Sequence, residues 1–310
     1  MSSSSSTLPD TLREGVEAAL SSRAGRSVEI LGAEPVTGGC IHQTARVSTN
    51  LREDFFLKWA PDALSDVFSA EADGLSALHV ATRDSTDLTI PEVIGHSAAG
   101  EKPAWLLLDY VPPGSPLGDY AERLGEALSV LHEAGDGPYG WHRSNYIGSL
   151  PQTNTYMDDW PAFWWSERLE PQLALAGDNG WLADLDREWA ALESELPKLL
   201  GGAEEDGYSI LHGDLWSGNV YPGPDGRPVL VDPAVYRGHG EVDLAMTELF
   251  GGFPRAFYAA YEDRRPLRDG YKNIRRHVYQ LYPLLVHLNL FGGGYLNSVK
   301  GALRSALATL

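Results

Sequence analysis

A segment rich in proline and glycine, VPPGSPLG at residues 111–118, separates two parts of the chain with different sequence patterns. Short segments with β-like alternation dominate before it, and longer segments with helical spacing of apolar residues dominate after it. Clusters of proline and glycine are typical of connections between structured units. This order predicts an α+β, bilobal fold. A small β-rich N-terminal lobe with one main helix would meet a larger, mostly helical C-terminal lobe at a cleft.

The connector divides the chain into four parts. Residues 1–9 are expected to form a flexible Ser-rich tail, residues 10–107 the N-terminal lobe, residues 108–118 the connector, and residues 119–310 the C-terminal lobe. With 310 residues, the chain is long enough for one large domain or two unequal lobes, and for a sizeable core.

Local patterns predict the individual elements. In the N-terminal lobe we expect a helix that begins near Asp10, with that residue as N-cap, and a main helix from Asp62 to about Val80. Strands are predicted there within residues 27–36, 44–50, 54–60 and 88–111. In the C-terminal lobe helices are predicted within residues 120–135, 160–177, 181–200 and 271–290, and strands within 208–213, 218–223 and 228–233.

The charge of the chain limits its partners. It has 24 Lys and Arg against 43 Asp and Glu, a net charge of −19, so a nucleic acid or a membrane surface is an unfavourable partner. The single cysteine, Cys40, excludes an internal disulfide and fits a reducing compartment. No apolar run approaches the roughly 18–20 residues of a membrane span, and the first residues lack a secretion signal. We therefore expect a soluble, cytoplasmic protein, and we favour a monomer.

The stretch LHGDLWSGNV at residues 211–220 carries the strongest chemical signal. Asp214 and Asn219 have the D-x-x-x-x-N spacing of a kinase catalytic loop, in which the acid is the base and the amide binds a metal. Asp232 follows the strand-like PVLV, where a second ligand for Mg²⁺ would lie. Alternatively, the first two are turn residues and Asp232 caps a strand. The ordered set favours the functional interpretation.

Lys58 lies in an otherwise apolar strand, DFFLKWA. A buried lysine without a partner would cost several kcal/mol, so it needs a carboxylate nearby. Glu71, thirteen residues further along and on the main helix, can supply it. In a kinase such a pair would bind the phosphates of ATP. The alternative is a lysine at a strand end whose amine reaches water.

Two weaker patterns fit a nucleotide. In TGGCIHQ, residues 37–43, Gly38 and Gly39 would let backbone N–H groups approach phosphate, although a Gly-Gly hairpin turn is common and no complete G-x-G-x-x-G is present. In LLLDYV, backbone groups of Asp109, Tyr110 and Val111 could bond an adenine edge. That segment is equally well explained as a strand that runs into a loop.

The chain resembles the fructosamine kinases (ketosamine 3-kinases), within the aminoglycoside-phosphotransferase-like branch of the protein-kinase-like fold. The HGD motif followed by Asn is shared with many small-molecule kinases, whereas DLWSGN and NYIGSLPQ are more specific to this family. The resemblance covers nearly all of the chain after the Ser-rich tail. It is carried by LHGDLWSGNV, VDPAVYRGHGEVDLAMTELFGGF, NYIGSLPQTNTYMDDWPAFWWSERLEPQL and LLVHLNLFGGGYLNSV.

The resemblance implies phosphorylation, by ATP and Mg²⁺, of the C3 hydroxyl of a ketose attached to an amine, which leads to repair of the amine. By position, Asp214 would be the base and Asn219 and Asp232 the metal ligands. Lys58 with Glu71 would bind the phosphates, and the nucleotide would be covered by Gly38, Gly39 and Cys40. Gly213 and Pro233 stand where protein kinases have Arg and Phe, so activation by phosphorylation of a loop is not expected.

The acceptor side is less defined. Trp216 is a candidate platform for the sugar, with core packing as the alternative. His287 and Asn289 are weaker substrate candidates, together with residues 145–152 and the Trp164–Trp165 pair. Cys40 is either a redox-sensitive residue or a small residue that fills a turn.

Two other functions remain open at this point. One is a kinase for another acceptor, such as an aminoglycoside, choline or a free sugar. The other is a pseudokinase scaffold that binds a nucleotide without transferring phosphate. Against the scaffold, the chain has a residue at each lysine, base and metal position.

Overall fold

The computed structural model describes residues 8–36, 42–62, 66–83, 87–182 and 185–308. Its α-helices are α1 (Asp10–Ala24), α2 (Val67–Thr82), α3 (Tyr120–Glu133), α4 (Trp160–Phe163), α5 (Glu170–Asp178), α6 (Asp186–Leu199), α7 (Glu241–Thr247), α8 (Arg255–Arg264), α9 (Arg276–Phe291) and α10 (Leu296–Leu307). Its strands are β1 (Ile30–Pro35), β2 (Gln43–Thr49), β3 (Asp54–Ala60), β4 (Val93–His96), β5 (Ala104–Asp109), β6 (Asn145–Ile147), β7 (Leu150–Gln152), β8 (Ser209–Leu211), β9 (Val220–Pro222), β10 (Pro228–Leu230) and β11 (Tyr236–Gly238). Among these residues no helix is both long and apolar enough to cross a membrane.

The first five strands form one antiparallel sheet in the order β1-β2-β3-β5-β4. Its central strands β3 and β5 are largely buried on both faces, because helices pack on both sides of them. In β5, Leu107 packs into the cluster that contains α1, whereas Leu106 and Leu108 pack into the cluster that contains α2. The alternation in β3 therefore directs Lys58, which pairs with Leu106, toward the α2 side.

The C-terminal part has its own core of aromatic and aliphatic side chains. Trp160, Trp164 and Tyr279 are buried there with the apolar faces of α6, α9 and α10. Another cluster joins residues from both sides of the connector, among them Leu75 of α2 and Leu128 of α3. The two sides of segment 108–118 are therefore packed against each other, with the cleft at their junction.

Most predicted elements are present, with shifted ends. The first helix is confirmed, but Asp10 is its first residue rather than its cap and its side chain caps nothing. The main helix begins at Val67 rather than Asp62. The preceding Asp66 is held by Arg143 and Tyr146 instead of forming a side-chain cap.

Several short elements were missing from the prediction. The strands β6, β7 and β11 have three residues each, too few for an alternating pattern to be recognised. The helical regions predicted at 160–177 and 271–290 are present but contain π-helical turns at Trp164–Leu169 and Tyr271–Arg275. Such turns keep the apolar period broadly helical, so the sequence pattern does not reveal them.

Candidate active site

A cavity of about 460 Å³ lies at the junction of the two parts of the chain. Lys58 and Glu71 line it from one side, and Asp214, Asn219 and Asp232 line it from the other. The structure thus brings together five predicted site residues that span more than half of the sequence.

Lys58 is buried at the base of this cavity, with 6% of its surface exposed. Its Nζ donates to Glu71 Oε1 at 2.7 Å and also to Asp232. Burial by itself would lower the pKa of Lys58, but the carboxylates of Asp232 and Glu71 raise that pKa above its usual value. The predicted Lys58–Glu71 contact is confirmed, and the alternative of a lysine that reaches water is wrong. The contact with Asp232 was not anticipated.

Asp232 has an unusual backbone, with a φ of 57°. Among the described residues, only Arg52 and Asp232 combine a side chain beyond glycine with a left-handed φ. The segment is fixed on both sides, because Val231 N donates to Asn219 O at 3.1 Å and Ala234 N donates to His212 O at 2.8 Å. Backbone strain of this kind is typical of functional sites. Burial opposes ionisation of Asp232, but Lys58 lowers its pKa.

The loop that carries Asp214 is held by Asp243, which is fully buried. Asp243 accepts hydrogen bonds from His212 N at 2.7 Å and Gly213 N at 2.9 Å. Gly213 has a φ of +81°, and a Cβ there would lie 2.1 Å from Ala234 O. An arginine at this position, as in protein kinases, is therefore sterically excluded. Asp243 thus fixes the loop through its backbone rather than lining the cavity.

Asp214 and Asn219 contact each other directly. Asn219 Nδ2 donates to the Asp214 backbone oxygen at 2.8 Å and to Asp214 Oδ2 at 3.0 Å. Burial raises the pKa of Asp214 to about 7, and the nearby carboxylates of Asp232 and Asp243 add to this, while the bond from Asn219 opposes it. A carboxyl group with a pKa near neutrality is suited to general base catalysis.

An amide network lies behind Asp232. Gln152 Nε2 donates to Ala234 O at 3.2 Å and to Asn145 Oδ1 at 2.8 Å, and Asn145 Nδ2 donates to Val235 O at 2.8 Å. Of the predicted segment 145–152, residues 145–148 line the cavity, whereas Gln152 is buried and supports the backbone that follows Asp232.

A second cavity, of about 280 Å³, adjoins the first and shares Lys58 and Asp232 with it. Asp109, Tyr110 and Val111 line it, as the adenine hypothesis requires. The Asp109 carboxylate accepts a hydrogen bond from Glu92 N, and burial raises its pKa. Val111 O accepts from Tyr221 at 2.9 Å, while the Val111 N–H has no partner among the described residues. Gly38, Gly39 and Cys40 lie outside those residues.

On the acceptor side, Trp216 and His287 both line the larger cavity. Trp216 is half-buried, and its ring meets Phe250 edge-on at 6.3 Å between centroids. His287 Nδ1 bonds to Pro283 O at 2.7 Å, and burial lowers its pKa. Phe250, at 4.6 Å from the His287 ring, therefore connects the two predicted residues.

Two other acceptor-side candidates lie elsewhere. Asn289 does not line the cavity, because residues two apart on a helix face different directions. Its Nδ2 donates to Gln172 O at 3.0 Å and to Gln172 Oε1 at 2.9 Å. Trp164 is fully buried in the C-terminal core, so packing accounts for it.

The sequence did not reveal the residues that fix α2 across the cleft. Arg143 Nη2 donates to Asp66 Oδ2 at 2.9 Å, and Tyr146 donates to the other oxygen of Asp66. Two residues past Glu71 on α2, Asp73 accepts a hydrogen bond from Trp141 Nε1 at 2.7 Å. These contacts join residues about 70 to 80 positions apart, for which a single sequence carries no signal.

Comparison with known proteins agrees with this geometry. The model of the fructosamine kinase family matches residues 13–309. An Enterococcus faecium protein named as a probable ketoamine kinase is 38% identical over 274 residues, which cover 87% of this chain and 94% of the relative. A Thermobifida fusca structure assigned as a fructosamine-3-kinase is 34% identical with a TM-score of 0.82, over 94% of this chain and 98% of that one.

A more distant likeness concerns the fold alone. The structure of an aminoglycoside phosphotransferase is 17% identical with a TM-score of 0.58, over 94% of this chain and 98% of that one. Together with the five-stranded sheet and the helical C-terminal part, it confirms the predicted α+β, protein-kinase-like fold class. The chain belongs to the fructosamine kinase family.

Proposed function

We propose that this chain transfers the terminal phosphoryl group of ATP to the C3 hydroxyl of a ketosamine, a ketose joined to an amine, as a step in deglycation. Membership of the fructosamine kinase family supports the reaction class and the use of ATP. The observation that carries the residue assignment is the meeting of Lys58, Asp214, Asn219 and Asp232 at one cavity.

The residues present fit a nucleotide and Mg²⁺. The Val111 N–H in the smaller cavity is available to an adenine edge, and Lys58, held by Glu71, suits the phosphates. Asp232 offers a carboxylate, and Asn219 offers its amide oxygen because both of its donated bonds come from Nδ2. These are the hard oxygen ligands that Mg²⁺ prefers, and the bound ion would offset phosphate charge. The Gly38–Cys40 segment as a cover for the nucleotide stays a prediction.

Asp214 is the proposed base. Its carboxylate orients the acceptor hydroxyl and takes up its proton as the oxygen bonds to phosphorus, with ADP as the leaving group. The contact with Asn219 fixes the carboxylate in the cavity. Trp216, two residues further along, is the proposed surface for the sugar ring.

The test is an acceptor comparison with γ-labelled ATP and Mg²⁺. Purified protein is given ribulosyl-lysine, fructosyl-lysine or an aminoglycoside, and labelled product is measured. We expect label on a ketosamine, and its loss in Asp232→Asn, which keeps a residue tolerant of the left-handed backbone. Label on the aminoglycoside alone would overturn the acceptor assignment. Nucleotide binding without transfer to any acceptor would indicate a scaffold.

A further inference from the structure

Four rings form a continuous surface at the outer end of the larger cavity; we call Phe250, His287, Phe291 and Tyr295 the aromatic shelf. His287 lies at its centre, with ring centroids 4.6 Å from Phe250, 5.4 Å from Phe291 and 5.1 Å from Tyr295. All four line the cavity. Trp216, at 6.3 Å from Phe250, extends this surface toward Asp214.

The shelf reaches solvent. Phe291 is 58% exposed, one of few large apolar side chains so exposed among the described residues. It lies four residues after His287 on α9, so the two side chains share a face of that helix. An exposed aromatic residue at the rim of a site is available to a ligand that extends out of it.

The charged side chains that line the cavity are mostly acidic. Among the described residues that line it, Lys58 is the only lysine or arginine, and Glu71 and Asp232 already bind it. Asp214 adds a further carboxyl group. A carboxylate on the substrate would therefore find no unpaired lysine or arginine among the described lining residues, whereas apolar groups and cations are attracted to aromatic faces.

The chemistry of the acceptor places its amine near the shelf. In a ketosamine the amine is on C1, two carbons from the C3 hydroxyl that is phosphorylated. With that hydroxyl at Asp214, the substituent on the amine extends toward the shelf, because the other direction leads to Lys58 and the smaller cavity, which the nucleotide requires.

We propose that the aromatic shelf receives the substituent on the ketosamine nitrogen and selects substituents that are apolar or cationic over those that carry a carboxylate. This inference rests on the proposed function and adds the substrate class to it. It predicts that amines without a nearby acid group, including lysine side chains within a peptide, are preferred over amino acids modified at their α-amine.

The experiment uses adducts of one ketose with three amines: methylamine, benzylamine and 4-(aminomethyl)benzoate. The last two differ by one carboxylate. In wild type we expect kcat/KM for the benzoate adduct to be about five- to tenfold below that for the benzylamine adduct. In Phe291→Ala, the ratio of kcat/KM for benzylamine to methylamine adducts should fall about threefold. Tyr156→Ala removes an exposed aromatic residue outside the cavity and should keep both ratios.

Two outcomes separate the shelf from the reaction itself. Equal kcat/KM for the benzylamine and benzoate adducts, or an unchanged benzylamine-to-methylamine ratio in Phe291→Ala, would overturn the role of the shelf while the kinase assignment stands. Absence of phosphorylation of all three adducts would overturn the proposed function and this inference with it. Because Phe291 is mostly exposed, its truncation leaves no cavity in the core.

Discussion

Two polar clusters in this molecule contain similar residues and differ in charge balance. The cleft cluster is Lys58, Glu71, Asp214 and Asp232, and the interior cluster is Asp206, His239, Glu241 and Arg275. Both are rich in carboxylates, and both contain a buried cation, Lys58 in the first and Arg275 in the second. Only the cleft cluster lines a cavity among those described above.

The carboxylates of the interior cluster are balanced by arginines: Arg275 pairs with Glu241, and Arg268 Nε lies 3.6 Å from Asp206 Oδ1. Both oxygens of Glu241 accept bonds from Arg275, each at 2.6 Å. His239 contacts Asp206 Oδ2 at 3.0 Å and the Tyr279 hydroxyl at 2.7 Å. The ligand atoms of Asp206, His239 and Glu241 lie within 4.8 Å of one another, a spacing that suits a metal. However, Arg275 already supplies the positive charge, so this group fits a structural role.

The cleft cluster is not balanced. Three carboxyl groups face the single ammonium group of Lys58. Asp232 has a left-handed backbone, and the pKa of Asp214 is raised to about 7. Such an arrangement of charges lowers stability. A folded protein retains it where a bound cation or a reaction needs these groups. The comparison indicates that excess charge, rather than the number of acidic residues, distinguishes the site from the scaffold.

Asp214→Asn should separate activity from stability most strongly. Loss of the base should lower kcat by about 10²- to 10⁴-fold. The free energy of unfolding at pH 8 should not fall, because the charged carboxylate is unfavourable in this site. Steady-state kinetics and thermal unfolding at pH 8 test both parts. A variant with near-normal kcat would remove Asp214 as the base.

Glu241→Gln should show the opposite behaviour. It leaves Arg275 with a neutral partner in a buried position, which should lower the free energy of unfolding by about 3–5 kcal/mol. The matched variant is Glu71→Gln, in which Lys58 keeps its ion pair with Asp232. The free energy of unfolding should change less in this variant, while kcat/KM should fall roughly tenfold or more. Denaturant unfolding measures the stability of both variants, and steady-state kinetics measure their kcat/KM. Equal loss of stability in both variants would contradict the distinction between the clusters.

Gln152→Leu tests the support behind Asp232. Without the amide, Ala234 O and the Tyr282 hydroxyl lose their partner, at a cost of about 1–3 kcal/mol. Since this segment follows Asp232, we also expect kcat to fall, by about tenfold. Gln172→Leu is the control, because Gln172 is a buried amide outside the cavity whose loss should affect stability alone. A normal kcat in Gln152→Leu would show that the network does not position Asp232.

The sequence predicted the parts of the site that have a local signature. The spacing of Asp214 and Asn219, and a lysine in an apolar strand, identify residues whose chemistry is unusual for their surroundings. The fold class followed from the order of strand-like and helix-like segments, since the period of apolar residues is a local property.

The remaining features depend on contacts between distant segments. The bond between Lys58 and Asp232 joins residues 174 positions apart, and the Asp66–Arg143 pair joins residues 77 positions apart. Asn289 was misplaced because an apolar helix does not show which of its polar residues faces a cavity. Phe250 and Tyr295 carry ordinary aromatic side chains, so only their positions around His287 distinguish them from core residues.

The smallest expected difference between the two regions is in their response to pH. His132, beside the interior cluster, is fully buried and contacts Tyr261 at 2.8 Å and Asp243 at 3.2 Å. Burial lowers its pKa; Asp243 opposes this, whereas Arg265 and His239 add to it. The unfolded chain therefore takes up a proton near pH 6.5 that the folded chain does not, so the His132 contribution lowers stability as pH falls below that value.

Asp214 has the opposite sign, because its raised pKa means that the folded chain takes up a proton first as pH falls from about 7 toward 4. Acidification from pH 7.5 to 5.5 should thus cost less stability in His132→Gln than in wild type, since glutamine can still bond Asp243 and Tyr261. The same change should cost more in Asp214→Asn, which lacks the compensating proton uptake. Denaturant unfolding of the three proteins at the two pH values gives the change in the free energy of unfolding with pH for each. If both variants lost stability in parallel with wild type, the opposite proton linkage of the two regions would be wrong.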